Sequence, residues 1–441
     1  MGVEYLSVSK MEATSSAVPA GKAAKQRRPI AGVLLLLSWG HLVTDMAQGA
    51  LPALLPVLKQ AFALTYAQTS LLVLVSNVAS SVIQPVFGYF ADRRPARWLL
   101  PLGCLVAGVG LAATGRLPWF SLLLLAVAVS SLGVAAYHPE GSRAANLASG
   151  VRKGSGMAVF SVGGNLGFGL GSLFMAWLLT LGGPKATVYF VLPGLVTAGL
   201  LMFCWPRLNS LQEEGVRQAF RGPADGKERS GTPLSGKNRT STQTAGVEWN
   251  KGTLVAFTLL LIYIIFRSWL HAGLSTYVPL YYTDYLHGDA HLAGYFVSVF
   301  LLAGAFGTLL GGPLTDVLGA PRVMAGSMAL LIPLIYLFLH AGGGLAALML
   351  LAFIGAALIS TFSTTIVLGQ QLMPHRKGLA SGFTIGFGVG TGGVGVTLLG
   401  VLADHLGVPA VFQALNLLAV AGLVLALFLI RRFPWAAKTG E

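Results

Sequence analysis

Twelve separate runs of about twenty mostly apolar residues constrain this chain more than any other feature. They fall at about 30–56, 66–91, 98–116, 119–147, 155–181, 186–205, 252–282, 291–315, 322–341, 344–371, 378–403 and 408–431. In hydrocarbon every backbone polar group must be bonded within the protein, so runs of this length can only be helices. The expected fold class is an all-α membrane protein with twelve transmembrane helices in two six-helix repeats. Charged residues make up 10% of the sequence, where a soluble domain carries about 25%. The 57 glycines suit helices that pack closely in lipid.

The net charge of +14 would suggest nucleic acid in a soluble chain. Here the charge sits between the apolar runs and reads as topology, so no nucleic-acid partner is expected. With the N-terminus placed in the cytoplasm, 24 of the 29 Lys and Arg fall in cytoplasmic segments. Three (Lys59, Arg116 and Lys185) fall outside, and two (Arg143 and Arg267) lie within spans. That asymmetry places both termini inside. The divisions that follow are a cytoplasmic N-terminal tail at 1–29, six-helix halves at 30–205 and 252–433, a flexible cytoplasmic linker at 206–251 and a C-terminal tail at 434–441. The first run has no cleavage site after it and reads as a retained helix. Cys104 and Cys204 both lie in apolar runs, and a disulfide is not expected. Asn238-Arg239-Thr240 spells a glycosylation sequon on the cytoplasmic linker, where the enzyme would never meet it.

The two halves repeat one another. Gly88-Tyr-Phe-Ala-Asp92 and Gly312-Pro-Leu-Thr-Asp316 lie 224 residues apart, and so do Arg152-Lys153-Gly154 and Arg376-Lys377-Gly378. Ser38-Trp39-Gly40-His41 and Ser268-Trp269-Leu270-His271 occupy the first and seventh runs. Parallel repeats of this kind belong to transporters that bind substrate near the midplane between them.

Gly312-x-Leu314-x-Asp316-x-x-Gly319-x-x-Arg322 resembles the loop signature of the major facilitator superfamily, and Gly88, Asp92 and Arg93 are its first-half counterpart. The counterpart lacks the second glycine. The resemblance implies the major facilitator fold and a role for these residues in conformational gating. Gly40-His41-Leu42-Val43-x-Asp45, Gln84-Pro85-x-x-Gly88-Tyr89, Tyr137-His138-Pro139-Glu140-x-Ser142-Arg143 and Val162-Gly163-Gly164-Asn165-x-Gly167 resemble the fosmidomycin-resistance branch. That branch implies proton-coupled efflux of drugs from the cell across the plasma membrane, with a phosphonate antibiotic as namesake. Gly163, Gly167 and Gly171 resemble the antiporter motif of drug exporters, with Ser172 where that motif has proline. Read by themselves, they are a small-residue face for close helix packing.

Ionisable groups within spans are costly and usually carry a function or a partner. Asp45 lies mid-span, four residues after His41, and Gln48 continues that helix face. A carboxylate beside an imidazole can exchange protons, or can simply clasp a neighbouring helix. Glu140 and Arg143 are three apart and can pair, either as a gate or as a static bridge. The proton-coupling candidates are therefore Asp45, His41 and Glu140. Tyr263, Arg267 and His271 step by four along the seventh run. An arginine there offers a planar fork for a carboxylate or phosphonate, against the plainer reading of a structural bridge. The substrate-binding candidates are Gln48, His138, Arg143, Tyr263, Arg267 and His271, around a net basic cavity. His138 by itself reads equally as a satisfied buried histidine.

Gly388-Val-Gly390-Thr-Gly-Gly393 spells G-x-G-x-x-G inside a span with no strand before it, so it is not a dinucleotide loop. No phosphate-binding loop and no H-E-x-x-H occur, which argues against an ATP-driven pump and a zinc protease. No cofactor or metal is expected. The expected partners are a small-molecule substrate, protons and the lipid bilayer, and nothing demands more than a monomer. The leading function is a proton-driven exporter of small amphipathic or anionic compounds. Rivals are an importer of an organic anion or sugar in the same fold and, from another class, a membrane enzyme or sensor.

Overall fold

The computed structural model describes residues 30–93, 96–150, 153–210, 251–373 and 377–432. Most of the expected linker, both tails and the Asn238 sequon lie outside the described residues. The described chain is a bundle of helices: α1 Ala31–Phe62, α2 Tyr66–Asn77, α3 Gln84–Arg93, α4 Leu99–Ala113, α5 Phe120–Ala148, α6 Lys153–Gly182, α7 Val191–Phe203, α8 Lys251–Leu280, α9 Ala293–Leu318, α10 Ala320–His340, α11 Leu345–Ile359, α12 Thr361–Leu372, α13 Lys377–Leu406 and α14 Val408–Arg432. A π-helical turn, Val78–Val82, lies between α2 and α3, and a second, Tyr281–Tyr285, follows α8.

Ten stretches among the described residues are long and apolar enough to cross a bilayer, where twelve were expected. Two physical facts account for the difference. Gly156–Phe203 is one unbroken apolar stretch, although the 3-10 turn Gly183–Phe190 bends it into α6 and α7. Helix α1 is long enough but is not among the ten. His41, Asp45 and Gln48 dilute its apolar run. Large apolar side chains such as Phe203, Val317, Leu345 and Leu417 face outward, as lipid-facing helices require.

Local sequence sets several boundaries. Thr65 and Gln68 form a reciprocal cap at the start of α2: the Thr65 hydroxyl accepts from the Gln68 N–H at 3.1 Å, and Gln68 Oε1 accepts from the Thr65 N–H at 3.0 Å. Gly319 alone separates α9 from α10, at φ 83° and ψ 145°. A side chain would be strained there, so the loop signature's second glycine has a backbone reason.

Glycines also set the packing. Gly163, Gly167 and Gly171 on α6 lie against Ser38, Leu42 and Met46 on α1, each too close to the facing carbonyl to admit a Cβ. Both sets step by four, so the two helices run together like a zipper. Gly307 and Gly311 of α9 meet Ala356 and Ser360 at α11 in the same manner. Gly388-Val-Gly390-Thr-Gly-Gly393 is continuous α-helix within α13, and no phosphate loop forms.

The helices before residue 211 meet those after residue 250 along two seams. In the first, Gly400 and Gly393 of α13 lie against Ala67 and Leu74 of α2. In the second, Gly169 of α6 and Gly294 of α9 accept Leu302 and Ala176 from the opposite helix. One end of these seams carries a polar clasp. Lys59 Nζ lies 3.0 Å from Asp284 Oδ2 and 4.3 Å above the Tyr66 ring. The Asp404 carboxylate accepts from the Tyr66 and Ala67 N–H groups at 2.7 and 3.0 Å, capping α2 from the other side of the seam. Ser70 and Tyr277 hydroxyls meet at 2.7 Å.

Candidate functional site

Two polar centres sit inside the bundle. The first is built on α1. The α1–α6 zipper brings Gly164 against the His41–Asp45 face, where a Cβ would fall 2.6 Å from His41 Nε2 and 2.7 Å from Asp45 Oδ2. Only a glycine leaves that space. His41 Nε2 is 3.3 Å from Asp45 Oδ2, and His138 Nε2, arriving from α5, is 2.9 Å from Asp45 Oδ1. Asp45 is 4% exposed. The two imidazoles meet edge to face, 4.9 Å between centroids, and Phe160 stacks on His41 at 4.2 Å.

The hydrogen bonds fix where protons reside. His41 Nδ1 lies 2.8 Å from the Phe160 carbonyl oxygen, which can only accept, so Nδ1 carries a hydrogen. In a neutral ring His41 Nε2 is then a bare lone pair facing a carboxylate. That contact is repulsive unless a proton lies on one of the two atoms. The Gln84 amide Nε2 stands 3.0 Å from His138 Nδ1 and donates to it, leaving His138 Nε2–H to donate to Asp45. The network thus has one place for a further proton, between His41 and Asp45. The ligand atoms of the three side chains lie within 4.8 Å of one another, a gathering suited to a small cation.

The second centre is a cavity between the two sets of helices. Gln48, Val73, Ser76, Asn77, Asn165 and Phe168 line it from the first set. Arg267, Ser268, His271, Ser275, Thr276, Leu301, Phe362, Gly388 and Gly392 line it from the second. Among the described residues no Asp or Glu lines it. Arg267 is 4% exposed, and its Nε finds no hydrogen-bond partner. Its guanidinium carbon stacks 5.3 Å over the Phe362 ring. Among the described residues no carboxylate pairs with it. The cavity wall therefore carries an uncompensated positive charge, a costly thing to bury without a ligand or partner.

The expected site residues distribute between these centres. Gln48, Arg267 and His271 line the cavity. His138 instead joins His41 and Asp45. Tyr263 is turned away from the cavity: it is fully buried, and its hydroxyl donates to the Met324 carbonyl at 3.1 Å. Four residues advance a helix by 400°, so Tyr263 sits about 40° round from Arg267 and reaches α10 instead. Glu140 is fully buried beside Arg143, 3.5 Å from its Nε, and neither lines the cavity. His41 does not face Arg267 and His271 across the cavity, because α1 turns it toward α5 and α6.

Of the gating candidates, Gly312 and Asp316 lie on the last turns of α9, with Asp316 exposed. Arg322 Nη1 donates to the Leu318 carbonyl at 3.0 Å across the Gly319 turn. Gly88, Asp92 and Arg93 fall on α3, with side chains outside the described residues. Sequence reasoning gave no role to Asn77, Asn165, Ser268 or Thr276. Asn165 and Ser268 stood inside quoted motifs, but a single carboxamide or hydroxyl in an apolar run carries little signal by itself.

Two relatives align along nearly the whole chain. An uncharacterised MFS-type transporter, YfnC, of Bacillus subtilis (strain 168) is 33% identical over 396 residues, covering 89% of this chain and 91% of the relative. The fosmidomycin resistance protein of Escherichia coli (strain K12) is 34% identical over 399 residues, with the same coverage of 89% and 91%. Among solved structures, a bacterial homologue of the human lysosomal transporter Spinster, inward-facing and occupied, superposes with a TM-score of 0.68 at 16% identity. That likeness covers 93% of this chain and 97% of the homologue, and it bears on the fold. Residues 37–388 match the Major Facilitator Superfamily. With two centres inside a multi-pass helical bundle and this match along most of its length, the chain belongs to the Major Facilitator Superfamily of membrane transporters.

Proposed function

We propose that this chain is a proton-coupled exporter of small amphipathic organic anions, a phosphonate antibiotic among them, acting in the plasma membrane. The observation that carries the reading is Arg267, a buried guanidinium on a cavity wall without any carboxylate. An anion entering the cavity supplies the missing counter-charge, and guanidinium offers it a planar fork of donors. His271, one turn on, adds an imidazole to the same wall. The fosmidomycin resistance protein, at 34% identity, is consistent with an anionic drug.

Proton coupling belongs in this reading to Asp45 and His41, with Glu140 as the next carboxylate. The single proton place between His41 Nε2 and Asp45 Oδ2, 3.3 Å apart, supports it. The halves at 30–205 and 252–433 work as two rigid bodies joined by a cytoplasmic linker, with both termini in the cytoplasm and the protein acting as a monomer. The distribution of Lys and Arg supports that orientation. Gly88, Asp92, Arg93, Gly312, Asp316, Gly319 and Arg322, at helix ends and the Gly319 turn, let one body rock against the other.

Proteoliposomes loaded with a pH-sensitive dye test this directly. Addition of fosmidomycin or another small organic anion is expected to move protons, and Asp45→Asn to abolish that movement while the anion still binds. Arg267→Ala is expected to lose anion binding. Unaltered binding in Arg267→Ala sinks the anion reading, and proton movement that survives Asp45→Asn moves coupling to Glu140. Cells that accumulate the anion, instead of excluding it, favour the import rival.

A further inference from the structure

The centre on α1 has the donors and the spacing of a metal site. Two imidazole Nε2 atoms, of His41 and His138, and one Asp45 carboxylate oxygen lie within 4.8 Å of one another. Ligand atoms around a tetrahedral zinc, each about 2.0–2.1 Å from the metal, stand about 3.3 Å apart. His41 Nε2 and Asp45 Oδ2 are already 3.3 Å apart, and His138 Nε2 is 2.9 Å from Asp45 Oδ1. His41 and Asp45 lie one turn apart on α1, and His138 comes from α5. Two helices thus hold the three donors together.

Helix α6 keeps the space beside them open. A Cβ at Gly164 would stand 2.6 Å from His41 Nε2 and 2.7 Å from Asp45 Oδ2. Glycine puts no atom there, so an ion can sit against both donors and keep a further position for water.

A second ring of partners orients the imidazoles. His41 Nδ1–H donates to the Phe160 carbonyl at 2.8 Å, which turns the Nε2 lone pair toward Asp45. His138 Nδ1 meets the Gln84 carboxamide at 3.0 Å. A carboxamide serves either tautomer: its NH2 donates to a bare Nδ1, and after a half turn its oxygen accepts from Nδ1–H. In the second arrangement His138 Nε2 also presents a lone pair. Carbonyl and carboxamide partners of this kind are what ligating histidines have behind them.

Two imidazoles and a carboxylate suit a borderline-soft dication, whereas Mg2+ and Ca2+ take oxygen donors. We propose that His41, Asp45 and His138 bind one transition-metal dication of the zinc class, with Gln84 turned to accept from His138 Nδ1–H. On binding, a proton held between His41 and Asp45 leaves to water, and the His138 proton moves from Nε2 to Nδ1. Resting on the proton-coupling reading above, the bound metal then blocks transport, because it occupies the lone pair and the carboxylate that the proton needs.

The test titrates Zn2+ calorimetrically into purified full-length protein stripped with EDTA. A parallel titration uses Co2+, whose visible absorption distinguishes four-coordinate from six-coordinate ions. The wild type is expected to bind one ion per chain, with Co2+ four-coordinate. His138→Asn is expected to weaken Zn2+ at least about tenfold, and Gln84→Glu, which places a carboxylate behind His138, to tighten it about tenfold. A Kd for Zn2+ unchanged within twofold in His138→Asn puts the ion on histidines elsewhere, such as the exposed His405, and overturns the proposal. Absence of Zn2+ binding by the wild type overturns it as well. If His138→Asn does not fold, Gly164→Ala takes its place: its methyl group fills the space beside both donors and is expected to weaken Zn2+ at least tenfold, and an unchanged Kd overturns the proposal. In proteoliposomes, saturating Zn2+ is expected to stop substrate-driven proton movement and EDTA to restore it. If Zn2+ binds at this site and protons still move, the proton-coupling reading falls and the metal site stands.

Discussion

Gly164 shows how a residue with no side chain controls one that has chemistry. A methyl group there would fall 2.6 Å from His41 Nε2 and 2.7 Å from Asp45 Oδ2, inside contact distance of both atoms that share the proton place. Neither side chain is free to retreat. His41 is stacked on Phe160 at 4.2 Å and tied to its carbonyl, and Asp45 is held by His138 at 2.9 Å. Gly164→Ala is therefore expected to separate the pair and slow substrate-driven proton movement at least tenfold, while anion binding at Arg267 stays within twofold of wild type. Dye-loaded proteoliposomes and calorimetry on the same preparation measure the two quantities. Equal proton movement in the variant would show that the pair does not carry coupling. The i, i+4 spacing of His41 and Asp45 made that pair legible in the sequence. His138 as third member was not, because its approach depends on how α5 crosses α1. Tyr263 shows the opposite error: equal spacing suggested one face with Arg267, yet a drift of about 40° sends its hydroxyl to Met324.

At the scale of elements, the α1–α6 zipper is the part of the structure that most directly places the site. Ser38, Leu42 and Met46 step along α1 in register with Gly163, Gly167 and Gly171 on α6. In lipid there is no hydrophobic drive between helices, so close backbone contact and its dispersion energy must hold them. Gly167 faces the Leu42 carbonyl and the Asp45 Cβ, and no side chain fits between them. Overpacking a core commonly costs about 1–3 kcal/mol. Gly167→Leu, a large insertion against backbone, is expected at or above the upper end of that range. A detergent thermal-stability measurement should show a clear fall in Tm, with proton movement lost as well because the His41–Asp45 face moves off Gly164. A Tm unchanged within about a degree would mean that the helices part without cost. The sequence made this glycine face legible as packing. It also made α1 legible, as the run at 30–56, although the polar groups that give the helix its chemistry dilute that run and leave it outside the ten stretches. Charge also marked Arg267 from the sequence, whereas the carboxamides of Asn77 and Asn165 become visible only when two helix sets are brought together round a common cavity.

For the whole molecule, the polar clasp at one end of the seams sets which conformation is held. Lys59–Asp284 at 3.0 Å, the Asp404 cap on α2 and the Ser70–Tyr277 contact all join the first set of helices to the second. In the orientation proposed above this end is the outer face, where the clasp would hold the outer mouth shut. Partly exposed ion pairs are worth about 0.2–1 kcal/mol each, whereas a carboxylate capping two helix N–H groups contributes about 1 kcal/mol, with a further gain from the helix dipole. The cap should therefore matter more than the ion pair. Asp404→Ala removes it without touching either polar centre, and about 1 kcal/mol corresponds to roughly a fivefold shift in the balance of closed and open outer mouths. A single cysteine placed at Ser70, where the two sides meet, reports that balance through its rate of labelling by a membrane-impermeant thiol reagent from outside. Labelling is expected to rise about fivefold when Asp404→Ala is added, and by less when Lys59→Ala is added instead. If Lys59→Ala has the larger effect, the ion pair and not the helix cap holds the mouth shut. If neither changes the rate, closure rests on the glycine seams of Gly393 and Gly400, where α13 lies against α2.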